Sequence, residues 1–307
     1  MKKLTLAVAI SVAAGSASAA TIYEGKGFTY KLNGDLQVQL RQDVGNDQNP
    51  EIEFDDLELK NYVSYELSDT LTAFGRVDFG FKDAAEDKQD GSDLEEAYLG
   101  LAFGNTSVSF GKQNFASDEF GIEEAYENTL DEDRFDAMGT DGDDTIRVDV
   151  ELSNVYLVAS YEMEAEGEAS ENGEYFDLFA STEISGLTLA AAYQDMTPSV
   201  GADSEETWGV SASYDAGVAT IAADFSTTED IADQYNLAAT FAAAKTTKVA
   251  LGMTNIEPES GDDVTEWYAN VTYKFPTQKN VSLIAEIADT DEDDSDMGYL
   301  AGMRIKF

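Results

Sequence analysis

Histidine and cysteine are both missing from the 307 residues. Without histidine there is no Ser-His-Asp or Cys-His machinery, no HExxH zinc site and no imidazole acid–base step. Without cysteine there is no disulfide framework and no thiolate site. Basic residues are scarce too: 18 Lys and Arg stand against 62 Asp and Glu, for a formal net charge of −44. A chain of that sign repels phosphate backbones, so nucleic acid is not an expected partner. Only four prolines interrupt the sequence. Long apolar runs are also lacking. Beyond the N-terminus the best, residues 184–193, covers about ten residues, half of what a membrane helix needs. No metal or cofactor set emerges, and no enzyme is expected.

What is present begins with an export signal. Lys2 and Lys3 precede an apolar run over residues 4–14 and a small-residue ending at Ala17-Ser18-Ala19. That is the charge, core and cleavage pattern of a secretory signal peptide. Cleavage after Ala19 is expected to leave a mature chain of residues 20–307, more acidic still because Lys2 and Lys3 are lost. A composition 43% hydrophobic and 11% aromatic argues that this acidic chain folds.

The dominant pattern is alternation with a period of two. "DLQVQLRQ" sets Leu36, Val38 and Leu40 against Asp35, Gln37, Gln39 and Arg41. "FGRVDFGFK" sets Val77, Phe79 and Phe81 against Arg76, Asp78 and Lys82, and "TIRVDVEL" repeats the arrangement around Arg147. The runs predict about sixteen strands, each with its connection taking the length of a membrane β-strand unit. The expected connections alternate. Short turns such as 68–70, 104–106, 153–154, 185–186 and 216–217 are separated by long acidic stretches such as 84–93, 164–174, 196–205, 255–264 and 290–296. In an up-and-down meander this puts tight turns at one end and long negative loops at the other, as in an outer-membrane barrel. A soluble sandwich shares the alternation but gives no reason for the segregated loop lengths.

The chain ends "YLAGMRIKF", with Tyr299, Met303, Ile305 and Phe307 in one phase and Arg304 and Lys306 in the other. In a bilayer the last strand has to pair with the first, and an aromatic at the boundary anchors the apolar band.

The sequence resembles the Gram-negative general diffusion porins along essentially its mature length. The resemblance rests on "GDLQVQLRQD" as first strand, "DLEEAYLGLAFGNTSVSFGKQN" as a strand–turn–strand and "YLAGMRIKF" as closing strand. It implies an all-β, 16-stranded antiparallel transmembrane barrel with a long third loop folded into the pore. It also implies a homotrimer in outer-membrane lipid and lipopolysaccharide. By the same resemblance, the assembly machinery of that membrane is expected to read the terminal pattern of Tyr299, Met303, Ile305 and Phe307. The third loop is identified at about residues 114–144, where "DEFG" is similar to a Pro-Glu-Phe-Gly-Gly stretch of enterobacterial porins.

By the same resemblance, a basic wall faces an acidic loop at the narrowest point. The expected wall is Arg41, Lys60, Arg76 and Arg147, all in the inward phase of their strands, as is Lys82. The expected loop acids are Asp118, Glu119, Glu123, Glu124, Asp131, Glu132 and Asp133. Between Val148 and Ala244 there is no Lys or Arg, so that half of the channel should be negative and the pore should prefer cations. "DTDEDDSDMGYL" starts like an EF-hand loop but has Asp294 and Leu300 where Gly and Glu are required. Two other functions remain open on the sequence. One is a solute-specific channel, for sugars for example, using inward aromatics such as Phe74, Tyr98 and Tyr156. The other is a secreted acidic β-protein acting as an adhesin or ion binder.

Overall fold

The computed structural model describes residues 20–86, 91–127, 129–164, 173–199 and 201–307. The expected leader lies outside these residues, as do parts of four connections, 87–90, 128, 165–172 and 200. Strands follow one another as β1 (Ala20–Gly25), β2 (Phe28–Gln42), β3 (Glu51–Ser68), β4 (Leu71–Gly80), β5 (Asp93–Phe103) and β6 (Thr106–Asn114). After a long connection come β7 (Asp141–Glu151), β8 (Val155–Glu162), β9 (Glu174–Ile184), β10 (Leu187–Thr197), β11 (Glu205–Asp215) and β12 (Ala219–Thr228). The chain then closes with β13 (Ala232–Ala244), β14 (Thr247–Pro258), β15 (Val264–Phe275), β16 (Gln278–Thr290) and β17 (Gly298–Lys306). Two short helices occur, α1 (Lys82–Ala85) and α2 (Arg134–Met138). Lys82 therefore opens a helix and does not continue β4, as alternation had suggested.

Every strand from β2 onward pairs antiparallel with its sequence neighbour, and β17 pairs with β2. The sheet is closed, so no edge is left unpaired in lipid. The pairing of β1 explains why seventeen strands make a sixteen-position barrel. β17 occupies the edge of β2 from Asp35 to Gln42, and β1 occupies the same edge from Phe28 to Leu32. The two lie end to end as one composite strand. Gly34 and Phe307 exchange backbone hydrogen bonds of 2.8 and 2.9 Å at that join. The Phe307 ring lies over Gly34, where a side-chain carbon would collide with it. The terminal aromatic has a glycine socket.

Which face is which is settled by exposure. Gln37, Gln39, Asp177, Gln194, Ser226 and Gln234 are at most 1% exposed, although polar. Leu36, Val38 and Leu40 alternate with the first two and are 38–44% exposed. Apolar side chains thus point out and polar ones in, the inverse of a soluble sandwich. Asn61 is an outward exception. It accepts from Tyr30 Oη at 2.8 Å and donates to the Val77 carbonyl at 3.1 Å, so its polar groups are satisfied locally.

The turns at one end are tight, including 69–70, 104–105, 152–154 and 185–186, and the opposite end carries the long connections. One connection at the long end departs from the expected alternation: β12 and β13 are joined by residues 229–231 alone.

Candidate pore constriction

The connection from β6 to β7, residues 115–140, is folded against the inner wall and does not stand clear of the barrel. β7 starts at Asp141, ahead of the expected 145, so the segment is shorter than its sequence boundaries. A 3-10 turn at Ser117–Glu119 and α2 give it local structure. The Asp133 carboxylate caps α2, accepting from Phe135 N at 2.8 Å and Asp136 N at 3.2 Å. Gly139, at φ +104°, ends the helix in a conformation that other residues rarely adopt.

The root of the segment is apolar. Phe115 and Phe135 are fully buried, and the Phe120 and Phe135 rings meet at 5.1 Å with an edge-to-face tilt. Phe120 and Phe135 pack with Ala116 against Val158, Phe179 and Ala192, which point inward from β8, β9 and β10. Both rings sit over Gly209 of β11, where a Cβ would approach them to 2.7–3.0 Å. Beside this cluster, Ala116 N donates to Ser160 Oγ at 2.7 Å and Arg134 N to Ser226 Oγ at 3.0 Å.

The tip is held by polar groups. Tyr126 N and Glu127 N donate to the two oxygens of Glu286 at 2.7 and 3.1 Å. Leu130 N donates to Glu266 Oε2 at 2.8 Å, and Thr129 N reaches the same carboxylate at 3.1 Å. Glu124 N donates to Tyr268 Oη at 3.1 Å, and Tyr126 Oη meets Thr272 Oγ1 at 2.5 Å. Gln234 and Asn236 donate to the carbonyls of Asp131 and Glu132. The segment therefore runs along the inside of β8–β16 and, among the described residues, leaves the inner faces of β3, β4 and β5 as the opposite bank.

Each of the four expected wall bases is ion-paired. Arg41 lies 2.7 Å from Glu127, 2.9 Å from Asp43 and 3.4 Å from Glu53. Arg147 pairs with Glu119 and, at 3.0 Å, with Asp149, and it donates to the carbonyls of Asn114 and Phe115. These two bases meet the segment. Lys60 pairs instead with Glu58, and Arg76 with Asp78 and Glu96, all on the wall itself.

The segment's acids are dispersed. Asp118 accepts from Asn114, Glu123 from Ala125 N, and Glu124 pairs with Lys248 of β14. Asp131 and Glu132 are exposed and Asp133 is buried beneath its helix. Burial pushes the Glu123 carboxyl up to about 7, against hydrogen bonds that favour its charged form. Asp133 also rises to about 7 for the same reason.

Sequence reasoning missed Glu266 and Glu286, because a lone acid in an inward phase reads as any pore-lining charge. It also missed the aromatic root, although Val158 and Phe179, apolar side chains in an inward phase, were a signal that something apolar covers them.

A sequence model of the Gram-negative porin family matches residues 5–295. Among curated proteins, the chain is 29% identical over 342 aligned positions to a porin-like protein H of Photobacterium profundum, with the whole of both chains covered. Among solved structures it is similar to the trimer form of Vibrio cholerae OmpT, with a TM-score of 0.76 and 20% identity over 92% of this chain and 100% of that one. An anion-selective porin from Comamonas acidovorans gives a TM-score of 0.76 at 14% identity, covering 91% and 100%. Salmonella typhi OmpF, solved with daunomycin, gives 0.73 at 15% identity, covering 92% and 98%. At these identities the structural likeness speaks for the fold, and charge preference has to be read from the lining.

Proposed function

The chain belongs to the Gram-negative porin family, and from that premise we propose that it passes small hydrophilic solutes and ions by passive diffusion with a preference for cations. It is an outer-membrane channel protein; the permeant class and the sign of selectivity are our reading. The observation that carries it is the lining: polar side chains fill the inward positions, and the stretch from Val148 to Ala244 supplies no base to offset its acids. A wet negative channel concentrates counter-ions and passes them more readily than anions.

In this reading residues 115–140 narrow the lumen, and Arg41, Arg147 and Lys248 fix three places where the segment meets basic residues of the wall. A homotrimer in lipid and lipopolysaccharide, built by an assembly machinery that reads Tyr299, Met303, Ile305 and Phe307, completes it. The inward rings of Tyr62, Phe74 and Tyr98 lie 6.3–6.4 Å apart in one patch of β3–β5. They do not form a track, so they favour no sugar-specific channel. Reversal potentials of the purified protein in planar bilayers across a salt gradient test the proposal. Cation preference is expected, and anion preference or the absence of conductance would refute it.

A further inference from the structure

The uncovered bank of β3, β4 and β5 does not carry the charges that simple alternation assigns to it. Register places Lys60, Asp78 and Glu96 in one row across the three strands, with Tyr62, Arg76 and Tyr98 in the next. Asp78 faces Glu96 while the following residue, Phe79, faces Leu94, so Glu95 is an additional residue in β5. A bulge of this kind turns two successive side chains toward one face. Glu95 accordingly lies over Gly80, the register partner of Glu58, where a side-chain carbon would collide with its carboxylate.

The bank therefore holds four carboxyls, Glu58, Asp78, Glu95 and Glu96, around two bases. Lys60 pairs with Glu58, and Arg76 Nε lies 2.5 Å from Asp78 and 2.6 Å from Glu96. The acids outnumber the bases two to one, so the pairing leaves no basic charge unmatched on this bank.

A base bridged by carboxylates acts at a distance as a dipole, whose field fades well before that of a free charge. We propose that Glu58, Asp78, Glu95 and Glu96 are specificity-determining residues that cancel Lys60 and Arg76, so that no basic bank faces the acids of residues 115–140. The inference rests on the channel reading above and deepens it. Charge preference depends on the bulged acids of β5 and their partners as well as on the segment. These residues hold no ion; they set the potential that a passing ion meets.

The test compares the parent protein with the Glu58→Gln/Glu96→Gln variant in a planar bilayer under a salt gradient. Unmasking Lys60 and Arg76 should lower the cation-to-anion permeability ratio by about threefold or more. The converse variant, Lys60→Gln/Arg76→Gln, should raise the ratio by a similar factor, and it reads the same balance where the first variant does not reach the heat-modifiable folded form. An unchanged ratio in either folded variant would overturn the proposal. A parent that prefers anions would instead refute the general reading of the channel, while the two opposite shifts would still be expected.

Discussion

At its root, the segment of residues 115–140 is held by aromatic rings; at its tip it is held by its own backbone N–H groups. Phe120 and Phe135 pack on Val158, Phe179 and Ala192 and Phe115 on Tyr175, whereas the tip gives four N–H groups to Glu266 and Glu286. The two attachments differ in kind. Burial of rings is non-directional and indifferent to pH. Carboxylate acceptors are directional, charge-assisted and titratable. A channel has no dry centre in which to bury a loop, so this one builds a small apolar core on one arc of its wall. From there it extends a polar arm along the rest. The root fixes where the segment sits, and the tip fixes how steadily it holds its reach.

The comparison breaks most visibly at the root. Phe135→Ala removes a ring with no exposed surface, a loss of about 3–5 kcal/mol in a packed core. The segment should detach from β8–β11 and mean single-channel conductance should rise; an unchanged conductance would show that the rings do not hold it. At the tip, Glu286→Gln replaces a charged acceptor of two N–H bonds, worth about 1.5–3 kcal/mol for bonds to charge and less where an amide oxygen remains. Mean conductance should change little and current noise should grow.

Acidity sharpens the contrast further. Burial raises Glu123 to about 7, so the docked tip prefers the protonated carboxyl. That contribution is complete below the ordinary carboxylate range and is lost as pH rises through about 7. Noise should therefore increase from about pH 5 to about pH 8, and Glu123→Gln should flatten the trend. The smallest effect is expected for Asp133→Ala, which removes the cap of α2 and costs about 1 kcal/mol; it should lower the temperature at which conductance rises without altering conductance below it.

Much of this architecture was legible in the residues. A sheet with lipid on one side and water on the other writes its face into every second position, as "DLQVQLRQ" and the start of "FGRVDFGFK" show. β1 was not legible, because its six residues carry no alternating pattern and are placed by their pairing with β2. The start of β7 at Asp141 was hidden by the run Asp141-Gly142-Asp143-Asp144, which reads as loop. The tight connection at 229–231 was hidden because Thr228-Glu229-Asp230 reads as another acidic loop. At the constriction, the phase of Arg41, Lys60, Arg76 and Arg147 could be read, but their partners could not. Glu127 and Glu119 come from a folded segment whose path depends on tertiary contacts. Glu95 reaches the lumen through a bulge that strict alternation assigns to the lipid face. Long-range pairing and local slips in register are what a period-two pattern does not encode.

The absence of native cysteine makes the decisive measurement simple, because one introduced thiol is the only thiol. Leu59 and Lys60 are neighbours on β3 whose side chains are assigned to opposite faces. With the protein in a bilayer, a charged, membrane-impermeant thiol reagent should modify Lys60→Cys and reduce the current, and should leave Leu59→Cys unmodified. Modification of Leu59→Cys with Lys60→Cys untouched would place the apolar faces around the water and contradict the inside-out barrel on which the account stands.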